Sequence, residues 1–126
     1  MEKGIPSGIY KKKVLELYKN PSNFGQLKNP TYEHTSYNSI CGDEITVNLI
    51  VKDGIVKDAK FSGSGCVISL VAASSLIDKI KGMKIVDIQK INKQTIQKLL
   101  RVKINPSRVK CALLPLDALR GALKNG

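Results

Sequence analysis

Glu44-Ile45-Thr46-Val47-Asn48-Leu49-Ile50-Val51-Lys52-Asp53-Gly54-Ile55-Val56-Lys57-Asp58-Ala59-Lys60-Phe61-Ser62 reads as a β-hairpin. Ile45, Val47, Leu49 and Val51 fall on one face, and Glu44, Thr46, Asn48 and Lys52 on the other. That two-residue alternation is the pattern of a half-buried strand. Asp53-Gly54 supplies a tight turn, because both residues tolerate positive φ. On the return strand Ile55, Lys57, Ala59 and Phe61 share one parity, with Lys57 the residue out of place. Gly63-Ser64-Gly65 then lets the backbone turn sharply. Residues 66 to 81 follow with Val67, Ile68, Leu70, Val71, Ala72, Ala73, Leu76, Ile77 and Ile80 around most of a helical circumference. A helix apolar on most sides belongs in the core, packed over the hairpin.

Outward from this centre the chain is simpler. Residues 31 to 39 have the Thr and Tyr content of a strand. The loop through Asn23, Gly25, Asn29 and Pro30 is turn-rich and without periodicity. Residues 9 to 19 place Tyr10, Val14, Leu17 and Tyr18 on one helical stripe, and Asn20-Pro21 stops that helix. After Gly82, residues 84 to 90 make a connector of about one helical turn. Asn92 caps a helix from Lys93 to about Val102, with Ile96, Leu99 and Leu100 inward. From Val109 a last amphipathic helix carries Ala112, Leu113, Leu116, Leu119, Ala122 and Leu123; Pro115 predicts a late start or a bend. The order helix, strands, helices is an α+β pattern: a small antiparallel sheet of about three strands with helices packed on one face, in a single domain spanning residues 1–126.

Composition narrows the function classes. The chain has 126 residues, 42% of them hydrophobic, and no apolar run long enough to span a bilayer. Its first residues lack the apolar core of a secretory signal, which places it in the cytoplasm by default. The net charge of +11 raises nucleic-acid binding. Yet the lysines are spread along the chain and aromatics are only 5%, with no basic-aromatic platform for stacking bases. An acidic protein partner or simple solubility accounts for the charge as well. A basic nucleic-acid module with structural cysteines is the weakest reading.

There are three cysteines, an odd number in a chain without an export signal, so a disulfide framework is a poor reading. Cys41 stands in Asn38-Ser39-Ile40-Cys41-Gly42-Asp43, Cys66 follows Gly63-Ser64-Gly65, and Cys111 follows Arg108-Val109-Lys110. Each sits at the edge of an element, Cys66 at a helix N-terminus, where partial positive charge favours thiolate. Arg108 and Lys110 lower a thiol pKa further, or are ordinary surface charge. Three sulfurs and the Asp43 oxygen form a four-ligand set suited to zinc or an iron–sulfur cluster. An oxygen ligand to a soft metal exchanges more readily than thiolate, which suits a site that holds something and gives it up. The plainer alternatives are three buried structural cysteines and an Asp43 that caps a turn. His34, the one histidine, fits no zinc-finger spacing and is left out of the site.

At these residues the sequence resembles the IscU/SufU/NifU-type iron–sulfur cluster assembly scaffold proteins, over nearly the whole chain. Tyr18-Lys19-Asn20-Pro21-Ser22-Asn23-Phe24-Gly25 is similar to the family's Tyr-x-x-Pro-x-Asn-x-Gly. The Cys41 motif is similar to Asn-Pro-x-Cys-Gly-Asp, and Gly63 to Ser69 to Gly-x-Gly-Cys-x-Ile-Ser, followed by the similar Ala73-Ser74-Ser75. Arg108-Val109-Lys110-Cys111 is similar to the third-cysteine motif. The resemblance implies a non-enzymatic scaffold on which a [2Fe–2S] cluster is built, with sulfur from a cysteine desulfurase, and passed to carrier or recipient proteins. It makes Cys41, Cys66 and Cys111 the cluster ligands and Asp43 the aspartate tied to cluster lability. It makes Cys111 the acceptor of persulfide sulfur, and it allows a homodimer.

The chain also departs from the family pattern. Ser39 replaces a proline, and Leu17 stands where many members have histidine. Lys110 replaces the histidine before the third cysteine, which leans toward SufU. Residues 104 to 110 lack a clean Leu-Pro-Pro-Val-Lys chaperone motif, while the step from Cys66 to Cys111 leaves no room for the SufU insertion. The alternative reading is therefore a SufU-like sulfur acceptor holding zinc on the same four residues.

Overall fold

In the computed structural model, Asp43–Lys52 (β2) and Ile55–Ser64 (β3) pair as the expected antiparallel hairpin. Asp53 and Gly54 turn it with φ of 55° and 74°. Two successive left-handed residues match the right-handed twist of the strands they join. Tyr32–Asn38 (β1) lies along the other side of β2, giving a three-stranded antiparallel sheet in the order β1-β2-β3. The structure describes residues 21–38, 42–100, 106 and 109–125. The helix expected over 9–19 lies outside these residues, as do Ser39, Cys41 and Arg108.

The hairpin differs from its expected parity at one place. Ile50 faces Asp58, but Val51 faces Val56, so Lys57 has no opposite residue. This β-bulge puts one extra residue in β3 and switches the face of the chain on either side of it. Val56 is therefore buried with Ala59 and Phe61, and Lys57 is exposed. The out-of-place lysine marks the bulge. Ile45, Val47, Leu49, Val56, Ala59 and Phe61 then make one fully buried face.

Among the described residues, four helices follow. Val67–Ile80 (α1) buries Val71, Ala72, Ala73, Leu76, Ile77 and Ile80, as the expected central helix should. Ile85–Ile88 (α2) is the single turn of the connector, which is tied back to the hairpin by Ile85 N–H to the Gly54 carbonyl at 2.9 Å. Lys93–Leu100 (α3) buries Ile96 and Leu100. Its first turn carries a reciprocal cap: Thr95 N–H donates to Asn92 Oδ1 at 3.1 Å, and Asn92 N–H to Thr95 Oγ1 at 3.4 Å. Thr takes the place of the usual Glu or Gln of a capping box. The expected end near Val102 lies outside the described residues.

Val109–Asn125 (α4) runs through Pro115, neither starting late nor breaking there. It packs against β1, β2 and α1, and so buries Cys111, Leu114, Pro115 and Ala118 beyond the predicted stripe, while Leu113 and Leu123 are half-buried. The approach to β1 is close. His34 is paired with Val47 and so shares the core face, and a β-carbon on Gly121 would collide with its ring. Among the described residues, His34 is not grouped with Asp43, Cys66 and Cys111.

The loop before β1 has a defined job. Phe61 N–H donates to the Asn23 carbonyl at 2.9 Å, and Gly25 N–H to the Phe61 carbonyl at 2.8 Å. Phe24 meets Phe61 edge-on, with ring centroids 5.3 Å apart. Ser74 Oγ donates to the Ser22 carbonyl at 3.0 Å, and Lys81 Nζ to Asn23 Oδ1. The loop thus covers part of the β3 edge, which would otherwise present unpaired backbone groups.

Candidate metal centre

Three elements end at one point. Asp43 is the first residue of β2, opposite Asn38, the last of β1. Gly42, with φ of 73°, donates its N–H to the Asn38 carbonyl at 2.8 Å and closes the turn that aims Asp43 inward. Cys66 is the N-cap of α1, its backbone extended (φ −76°, ψ 172°). Cys111 lies in the first turn of α4. One carboxylate oxygen of Asp43 and the sulfurs of Cys66 and Cys111 all lie within 4.8 Å of one another. Cys41, two positions before Asp43, lies outside the described residues.

The two glycines before Cys66 have different tasks. Gly63 has φ of 132°, and a β-carbon there would collide with the Glu44 carbonyl. It lets β3 stay paired at its end. A β-carbon on Gly65 would stand 3.1 Å from Asp43 Cγ and 3.1 Å from Ser69 Cβ. Those contacts are tighter than side chains ordinarily tolerate, so the missing β-carbon lets Asp43 sit against the start of α1.

Asp43 is only 4% exposed, Cys111 is fully buried and Cys66 is half-buried. A buried carboxylate needs hydrogen bonds. Ser69, fully buried one turn after Cys66, donates from Oγ to Asp43 Oδ2 at 2.5 Å. The same hydroxyl is 3.3 Å from the Cys111 carbonyl and 3.6 Å from Cys66 Sγ. The carbonyl contact has a reason in the sequence. Residue i+4 of a helix donates to the carbonyl of residue i, and four residues after Cys111 stands Pro115, which has no N–H. The Ser69 hydroxyl, whose proton goes to Asp43 Oδ2, lies within reach of that carbonyl. On the far side Asn38 Nδ2 donates to Cys111 Sγ at 3.9 Å.

The electrostatics favour thiolate at Cys66. Burial raises its pKa. Hydrogen bonds from the Ser69 N–H, the Ser69 hydroxyl and the Cys111 thiol more than offset burial, with the Asp43 charge pushing upward, so the net shift is below the ordinary thiol value. Lys110 is exposed, as expected of ordinary surface charge.

These donors fit a thiophilic metal. In a tetrahedral site with Zn–S bonds of about 2.3 Å, ligand atoms stand about 3.8 Å apart. The present separations need only a small closure to reach that. The donor set of two sulfurs and a carboxylate suits zinc or iron rather than magnesium or calcium. Among the described residues, the structure brings Asp43, Cys66 and Cys111 together. Sequence reasoning assigned no role to Ser69 or Asn38. Their signals were present: Ser69 is three residues after Cys66 on the same helical face, and Asn38 ends the strand leading to the Cys41 motif.

The family described as NifU-like N terminal domain matches residues 9–125 of the chain. The chain is 37% identical over 134 aligned positions to the iron-sulfur cluster assembly scaffold protein IscU of Thermotoga maritima, covering 92% of this chain and 93% of that protein. It is 34% identical over 128 positions to the zinc-dependent sulfurtransferase SufU of Bacillus subtilis, covering 88% and 86%. A crystal structure described as a SUF-system iron-sulfur cluster assembly scaffold of Fervidobacterium islandicum superposes with a TM-score of 0.77 at 27% identity, covering 94% of this chain and 99% of that one.

Proposed function

The chain belongs to the family of NifU-like N-terminal domains, and from that premise we propose that it is a scaffold on which a [2Fe–2S] cluster is assembled and from which it is handed on. The observation that carries the proposal is the convergence of Asp43, Cys66 and Cys111 within 4.8 Å at the meeting of a strand and two helix starts. Cys41 completes the ligand set. Iron and sulfide are the cargo, and the chain's contribution is a set of donors held together before they arrive. The whole of residues 1–126 acts as one assembly domain, in the cytoplasm, where thiols stay reduced. No helix among the described residues is long and apolar enough to cross a membrane.

Sulfur arrives from a cysteine desulfurase as a persulfide. The Cys111 thiolate attacks the outer sulfur of that persulfide; its S–S bond breaks, the desulfurase cysteine leaves as thiolate, and a new S–S bond forms on Cys111. Because Cys111 is fully buried, delivery requires the first turn of α4 to open. Pro115 has already removed one of the backbone hydrogen bonds holding that turn. Recipient proteins take the cluster by exchanging their ligands for those of the scaffold, starting at the Asp43 oxygen. Two chains joined through a shared cluster are compatible with this chemistry.

A second reading rests on the size of the site and the SufU relative. Three donors within 4.8 Å suit a single tetrahedral ion, so the same residues serve a zinc-holding sulfur acceptor.

Purification without oxygen, followed by assay of iron, zinc and acid-labile sulfide per chain, separates the two. Equal iron and sulfide with little zinc supports the cluster scaffold. Near-stoichiometric zinc without sulfide supports the sulfur acceptor, unless removing zinc and supplying iron and sulfide builds a transferable cluster.

A further inference from the structure

We propose that Cys66 takes sulfur on from Cys111: the persulfide sulfur accepted at Cys111 passes to Cys66 within the same chain, which frees Cys111 for a second delivery. This rests on the sulfur-accepting reading above and deepens it.

A [2Fe–2S] cluster holds two sulfides, whereas an acceptor thiol takes up one sulfur at a time. A place for the first sulfur lies beside the acceptor. Cys66 Sγ and Cys111 Sγ are within 4.8 Å of each other, and the Cys111 thiol reaches Cys66 as a hydrogen-bond donor. A persulfide on Cys111 carries its outer sulfur about 2 Å beyond Sγ, the length of an S–S bond. Turned toward Cys66, that sulfur comes into contact with Cys66 Sγ, the range from which displacement begins. The Cys66 thiolate attacks the outer sulfur; its bond to Cys111 Sγ breaks, Cys111 leaves as thiolate, and a new S–S bond forms on Cys66. One S–S bond replaces another, so no oxidant or reductant is consumed. Charge on the buried leaving sulfur is costly, and the Asn38 amide, which donates to Cys111 Sγ at 3.9 Å, offsets part of that cost. Burial gives the transfer its use. Cys111 is fully buried and Cys66 half-buried, so sulfur moved to Cys66 stands where iron and a reductant can reach it.

The test is a time course of the full, metal-free chain with a purified cysteine desulfurase and cysteine, without oxygen. Persulfides are alkylated and assigned to each cysteine by mass spectrometry. Sulfur is expected on Cys111 first and on Cys66 after it, with a transfer rate independent of chain concentration. Cys66→Ser should keep sulfur on Cys111 and lose about half of the total at plateau, one of two acceptors being gone. Cys111→Ser should carry none on Cys66, because the first step is missing. Sulfur on Cys66 of the Cys111→Ser chain means direct delivery and overturns the proposal. So does wild-type sulfur confined to Cys111, a transfer rate proportional to chain concentration, or an undiminished total in Cys66→Ser. If either variant does not fold, the order of appearance and the concentration dependence in the wild type decide. A wild-type chain that accepts no sulfur overturns the sulfur-accepting reading and this one with it.

Discussion

Asp43 and Gly65 are in contact through a missing atom. A β-carbon on Gly65 would stand 3.1 Å from Asp43 Cγ, so the close approach of Asp43 to the start of α1 is eased by glycine at residue 65. Gly65→Ala should therefore cost about 1–3 kcal/mol of stability, the usual range for overpacking. It should also weaken zinc binding, because Asp43 or Ser69 must shift. Denaturant unfolding and a zinc competition titration measure the two effects. Unchanged zinc affinity would show that the close approach does not shape the site.

Asp43→Ala should lengthen the life of a bound cluster several-fold. An oxygen ligand is the exchangeable member of a thiolate set, and removing it removes the easiest point of entry for an incoming thiol. The check is the decay of visible absorbance while an apo-acceptor protein is present. Irreversible loss of the cluster in the variant would mean that Asp43 is needed to hold it.

Cys66 should react as a thiolate at lower pH than an ordinary cysteine. Its hydrogen bonds outweigh burial and the Asp43 charge, so its labelling midpoint falls below that of an ordinary cysteine. The sign for stability follows from the same shift. A depressed thiol pKa adds stability above the unfolded pKa, and that contribution is lost as pH falls through the folded value. Site-resolved alkylation of the metal-free chain across pH gives the midpoint directly. A midpoint at or above that of an unfolded cysteine contradicts the hydrogen-bond account.

Cys111→Ser should abolish sulfur acceptance from a cysteine desulfurase under either functional reading. A serine hydroxyl at neutral pH cannot replace thiolate as the nucleophile. Mass spectrometry of the chain after incubation with desulfurase and cysteine reads the added sulfur. Undiminished sulfur on the variant would transfer the role to another cysteine, with half-buried Cys66 the first to examine.

The bulge in β3 makes a paired prediction. Val56 is fully buried and Lys57 exposed, against the simple alternation. Val56→Lys should prevent stable folding, because it buries an unpaired charge. Lys57→Val should change stability by no more than about 0.5 kcal/mol. The reverse ranking in thermal melts would mean that the register of the hairpin is wrong.

Much of the fold was legible because local rules decide it. Alternation over Glu44 to Leu49 leaves β2 one face to bury, and Asp53-Gly54 permits the left-handed turn that joins it to β3. The apolar circumference of Val67 to Ile80 requires cover on most sides, and the sheet and α4 provide it. Alternation failed at Lys57, where pairing with β2, not the pattern within β3, inserts the bulge. Pro115 did not delay the last helix, which begins at Val109 and buries the proline, because packing of that helix on the sheet and α1 outweighs a local cost that depends on tertiary context.

The sequence by itself determined which residue types are available for chemistry: soft sulfur donors and one carboxylate, each placed by a glycine or a helix start at the edge of an element. Spacing and alternation also determined the order and kind of the elements that carry them. Only the tertiary structure decided that Asp43, Cys66 and Cys111 come together and that the Ser69 hydroxyl lies within reach of all three. The physical reason is range. Propensity and periodicity act over a few residues, whereas the Ser69 hydroxyl joins positions 26 and 42 residues apart, and packing of α1 and α4 on the sheet sets that meeting.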